Sequence, residues 1–86
     1  MKVIDKLLVR HTSRFLELVF TGEHKTTIAN NVHVLKAAVQ SGIIVDLKES
    51  DIDDAEPWRV TEGDLADIAL AVSDAVGASL KPPDPN

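Results

Sequence analysis

Apolar and polar positions along this chain repeat at helical spacing in three stretches. Placed at about 100° per residue, Val3, Ile4, Leu7, Leu8, Phe15, Leu18 and Val19 fall on one broad arc, which predicts a helix over residues 3–20. His11-Thr12-Ser13 is its weak point, because Thr and Ser compete for backbone hydrogen bonds. A break there would leave Thr12 or Ser13 capping a second segment. Thr21-Gly22 reads as a turn, and a second helix is predicted over 24–41 with Ile28, Val32, Leu35 and Val39 as its stripe. Gly42 then supplies a left-handed stop.

After this stop the pattern changes. Residues 43–47, Ile-Ile-Val-Asp-Leu, are short and β-branched, which suits an extended segment over the core. Residues 48–57 form an acidic loop in which Ser50 and Asp53 have the spacing of a capping box. The lone tryptophan, Trp58, is expected to be buried and to pin that loop. Thr61-Glu62-Gly63-Asp64 has the Thr-x-x-acid spacing that opens a helix, predicted here over 62–80 with Leu65, Ile68, Ala69, Val72 and Val76 on one face. Pro82-Pro83 stops it and leaves 82–86 as an exposed Pro-rich tail. The reading is all-α: a single helical domain, 1–86, built as a bundle of three main helices.

Composition agrees. The 86 residues are 44% hydrophobic, too apolar for a disordered chain, yet only 3% aromatic, so the core must be aliphatic. A chain this short buries roughly 60–65% of its unfolded surface, and its stability is expected to be modest. There are no cysteines, which removes disulfides and thiolate metal sites. The amino-terminal residues lack the apolar core of a signal peptide, and no apolar run approaches the ~18 residues of a membrane span. The expected location is the cytoplasm or a virion, with no membrane partner.

Charge changes the picture more. Residues 1–40 carry six Lys/Arg against three Asp/Glu, whereas residues 41–86 carry three against eleven, giving +3 and −8 and together the net −5. Lys2, Lys6 and Arg10, spaced i, i+4, i+8, would stack as a basic stripe on the first helix. Such asymmetry can orient a partner or order self-assembly. The stripe is too short, and the protein too acidic, to support direct nucleic-acid binding.

Candidate chemistry thins out on inspection. Asp51, Asp53 and Glu62 hold EF-hand positions 1, 3 and 12, but the required glycine is Glu56 and Pro57 follows it, so calcium is not expected. His11, His24 and His33 lack metal-ligand spacing, and the scattered glycines form no phosphate loop. His33 falls on the polar side of its helix. His11 falls at the centre of the first helix's apolar arc, as a core or interface histidine. No cofactor, small-molecule substrate or enzymatic activity is expected. On the third helix, Leu70 points away from the main arc with Ala66, Ser73 and Gly77 beside it, a small-residue flank another helix can approach.

Pro57-Trp58, Val60-Thr61, the Leu65-Ala66-x-Ile68 start of an Ala-rich helix and the Lys81-Pro82-Pro83-Asp84-Pro85-Asn86 end carry a resemblance. This third of the chain resembles small accessory proteins encoded among the head and tail genes of tailed bacteriophages, and the resemblance implies an assembly role without catalysis. The expected function is therefore a non-enzymatic protein-protein interaction or assembly module that binds a protein partner or copies of itself. The expected contact residues are Leu70, Ala66 and Gly77, His11, the basic Lys2, Lys6 and Arg10, and the acidic Asp51, Asp53 and Asp54. The alternative is an acidic inhibitor that mimics nucleic acid in the basic groove of a nucleic-acid enzyme.

Overall fold

A computed structural model describes residues 2–20 and 26–82. Among these the chain forms five helices: α1 (Val9–Val19), α2 (Thr27–Gln40), α3 (Glu49–Asp53), α4 (Pro57–Thr61) and α5 (Asp64–Ser79). The three longer ones are the predicted bundle; α3 and α4 are single turns within the acidic connection. The expected turn at Thr21-Gly22 and the start of the second helix at residue 24 lie outside the described residues, as do His24 and residues 83–86 of the tail.

The central helix is α2, against which α1, α3, α4 and α5 all pack. That placement explains why its buried face is wider than the predicted stripe. Leu35 is fully enclosed, and Val34, Ala37 and Ala38 are buried too, while Ile28 reaches the surface. Thr26 caps its start by accepting from the Ala29 N–H at 3.1 Å. Its end is a Schellman stop: Gly42 has φ +83°, its N–H donates to the Val39 carbonyl, and Ile43 N–H donates to Ala38. α5 presents Leu65, Ala69, Val72 and Val76 inward as its pattern requires.

The first predicted helix is corrected at its start. α1 begins at Val9, because residues 3–8 are spent on a different contact. Val3 forms an antiparallel bridge with Ile44, and the Ile4 N–H donates to the Ile43 carbonyl at 2.9 Å. Of the extended segment expected over 43–47, Ile44 alone pairs, in this bridge; Ile43, Val45 and Asp46 bend around it, and Ile43 and Ile44 are buried. No break occurs at Thr12-Ser13, and α1 runs through both.

Two cap expectations also shift. The box at α3 uses Lys48 and Asp51 rather than Ser50 and Asp53, with Asp51 Oδ2 accepting from the Lys48 N–H at 3.0 Å. Thr61 does not open α5. Its hydroxyl folds back onto the Pro57 and Trp58 carbonyls and closes α4, and Gly63 precedes α5. No helix among the described residues is long and apolar enough to cross a membrane.

Candidate interaction surfaces

α1 has two apolar sides. Phe15 and Thr12 face inward and are buried. Val9, Leu16 and Phe20, with Ser13 among them, recur at spacings of 4, 3 and 4 and form a second stripe. Val9 is 83% exposed and Phe20 79%. Among the described residues no helix packs extensively on this stripe: α1 lies mainly on α2 and approaches α5 near the latter's end. There the Thr12 and Ser79 hydroxyls are 3.3 Å apart. Ser79 donates to the Val76 carbonyl at 2.7 Å, so Thr12 is the donor of the pair.

A groove of about 400 Å³ opens between α1 and the end of α5, walled by Leu7, Leu8, Val9 and Leu16 on one side and by Ser79 and Leu80 on the other. A neighbouring recess of about 410 Å³, reached past Ile4 and Lys6, shares Leu7 and Ser79 with it. Leu80 is 61% exposed. The sequence reading missed these wall residues. The signal was present at positions 9, 16 and 20, which fall outside the main arc at helical spacing.

The other flank of α5 also faces solvent. Leu70 is 63% exposed, Ser73 and Gly77 are exposed and Ala66 is half-buried. A methyl group placed on Gly77 would meet nothing within 4 Å. The Ser73 hydroxyl is spent on the Ala69 carbonyl at 3.1 Å, so this flank offers apolar surface and small size rather than hydrogen bonds.

The basic stripe does not form as expected. With the helix starting at Val9, Lys2 and Lys6 lie on the extended amino-terminal segment and only Arg10 is helical. All three remain exposed, and the Lys2 backbone N–H donates to Asp46 at 3.3 Å. His11 is also relocated. It sits in the first turn of α1, half-buried, where Nδ1 accepts the Leu8 N–H at 3.0 Å. It is a helix cap seated beside Gly42, not the centre of an apolar face. His33, expected on plain surface, is half-buried, with Nε2 donating to the Val19 carbonyl at the end of α1.

On the acidic side, Asp51, Asp53 and Asp54 are all exposed. Asp53 pairs with Lys36 at 2.7 Å, Asp51 caps α3, and Asp54 shares a shallow pocket of about 290 Å³ with Asp51, Arg59 and Leu65. Arg59 grips Asp64 through two bonds, Nε to Oδ1 at 2.9 Å and Nη2 to Oδ2 at 2.8 Å. That grip holds the Asp64 carboxyl below the ordinary aspartate value.

The burial expected of Trp58 is overturned: it is 57% exposed. Residues two apart on a helix point to nearly opposite sides, so on the single turn α4 only one of positions 58 and 60 can face the core. Val60 does, and the Asn31 side chain donates to the Val60 carbonyl at 2.8 Å. These two groups, with Leu47 and Ile52, pin the acidic connection. Trp58 stays at the surface instead, its indole N–H donating to Glu56 at 2.8 Å and its ring against Gly63.

No protein-family model, curated protein or solved structure matches this chain.

Proposed function

We propose that this protein is a non-enzymatic interaction module that docks to other protein through its apolar surfaces. The observation that carries the reading is the groove between α1 and the end of α5. Its walls combine the exposed Leu8, Val9 and Leu80 with the half-buried Leu7 and Leu16, and an aliphatic side chain left wholly in water forgoes roughly 1.5–3 kcal/mol of burial. The setting we propose, virion assembly in a tailed bacteriophage, rests on the resemblance of residues 57–86.

The test is site-specific photo-crosslinking in extract of cells that make the protein. A crosslinking residue at Ser13, exposed in the groove, is expected to capture protein; one at Asp53 is not. Capture from Asp53 alone, or from neither, would end the reading.

A second reading has its own observation. The exposed Trp58 bonds to Glu56, and Asp51, Asp54 and Glu62 are exposed in the same stretch of chain, a composition suited to the basic groove of a nucleic-acid enzyme. Changing Asp51, Asp53 and Asp54 together to Asn keeps the cap acceptor of Asp51 and removes three charges. An assembly module should retain its binding, because exposed charge pairs contribute only about 0–1 kcal/mol each. A nucleic-acid mimic should lose its target.

A further inference from the structure

The groove and the Leu70 flank lie on opposite sides of α5. Leu70 and Ser79 are nine residues apart, which at about 100° per residue is half a revolution beyond two full turns. One side offers a hollow and the other a projection. Leu70 projects from α5 with the small Ala66, Ser73 and Gly77 along one side of it, where a second backbone can come close, and with Asp67 and Asp74 along the other.

The two surfaces also carry opposite charge. Lys6 and Asp5 line the recess beside the groove, and Arg10 and Lys81 directly follow the wall residues Val9 and Leu80 in the chain; all four are exposed. Asp67 and Asp74 flank Leu70 at i−3 and i+4, and both are exposed. Among the described residues, no ion pair engages Lys6, Arg10, Lys81, Asp67 or Asp74. Basic rim and acidic flank are thus both available to an incoming surface, and each matches the other rather than itself. A two-fold pairing of groove with groove would set like charges together.

We infer that the groove is filled by the Leu70 flank of a second copy, so that chains join head to tail. This identifies the partner of the surface proposed above and rests on that proposal. Leu70 enters between the α1 wall and Leu80, while Asp67 and Asp74 meet Lys6, Arg10 and Lys81. The contact uses two different patches, so it does not close on itself at two copies. Each bound copy still presents one free groove and one free flank, and the assembly grows as a chain or closes as a ring.

Two substitutions separate the faces without disturbing the fold. Val9→Asp spoils the groove at an exposed first-turn position of α1, which holds no acid and where a carboxylate is favourable. Leu70→Lys spoils the projection while placing a cation three and four residues from Asp67 and Asp74. Both variants should keep the circular dichroism of the parent.

Light scattering at low salt is the readout. The parent is expected to gain mass with concentration and to lose it as salt is raised, since charges are screened over ~10 Å at 0.1 M. Each variant alone should stay at the 9.3 kDa of one chain. Mixed in equal amounts they should form a species of twice that mass and stop, because one intact flank meets one intact groove. A mixture that stays monomeric while the parent associates would overturn the head-to-tail contact. A parent that is monomeric at millimolar concentration and low salt would overturn the second copy as occupant. Crosslinking of a different protein from Ser13 would then leave the interaction reading standing, and its absence would remove that as well.

Discussion

Two glycines at either end of α5 should respond in opposite directions to the same added methyl group. At Gly63 the backbone, with φ −96° and ψ −155°, is open to any residue, so an alanine meets no conformational penalty. Its Cβ, however, would stand 2.8 Å from the Arg59 Cα and 2.9 Å from Cζ3 of Trp58. The first neighbour is backbone and cannot swing aside. Forcing a methylene-sized group into packed surroundings costs about 1–3 kcal/mol, against about 0.4–1 kcal/mol returned by stiffening the unfolded chain. Gly63→Ala should therefore lose about 1–2 kcal/mol. At Gly77, inside the helix with open space around the new carbon, Gly77→Ala should gain about 0.5–1 kcal/mol. Urea unfolding followed by circular dichroism, at low protein concentration and high salt, reads both without a contribution from association. With a slope of about 1–3 kcal/mol per molar urea, the two midpoints should separate by on the order of half a molar or more, the parent between them. Trp58 emission should also shift in native Gly63→Ala, because the ring must move. A Gly63→Ala midpoint at or above that of the parent would refute the claimed close approach of α4 to the start of α5.

Trp58→Ala should cost well under the ~3–5 kcal/mol of a buried aromatic truncation and leave a folded protein, because more than half of the side chain is already in water; a variant that fails to fold in thermal melts would restore the ring to the core. The Arg59–Asp64 grip sets an acid dependence. Asp64 has its folded value depressed from 3.8, first by the Arg59 hydrogen bonds, so its contribution is complete above that value and fades as pH falls through the depressed one. The stability difference between the parent and Asp64→Asn should accordingly be flat at neutral pH and shrink only in acid; a difference that grows on acidification would reverse the assignment.

What was legible in the chain was whatever depends on local periodicity. The inward face of α5 follows directly from Leu65, Ala69, Val72 and Val76, and Gly42 ends α2 where a left-handed residue was expected. What escaped depends on partners distant in sequence. Val3, Ile4, Leu7 and Leu8 fit a helical arc, yet a bridge to Ile44, forty-one residues on, holds the first two extended. With Leu8 outside the helix, His11 becomes a cap instead of a core residue. Trp58 is a residue type that favours burial, but α4 is one turn long and its inward position belongs to Val60. The outward place of Leu70 was readable from its angle on α5. The groove was not, because its walls come from residues 7–16 and 79–80, which only the tertiary fold brings together.

The contact between Ile4 and Ile43 has a kinetic consequence. It ties the amino-terminal segment to the turn after α2, so α1 and α2 lie within a loop closed by one short antiparallel contact. Closing a loop of this length costs entropy that grows only as about (3/2)RT ln n, but the cost comes before α2 has anything to return for it. The closure should thus form late, after α2 has docked on α5, and be the first to open. Amide exchange at Ile4 would then be faster than at Leu35, measuring local opening rather than global unfolding. Leu7 and Leu8, which wall the groove, hang from that same tether. The walls of the groove should therefore open with it, and an occupant of the groove should slow the exchange of Ile4.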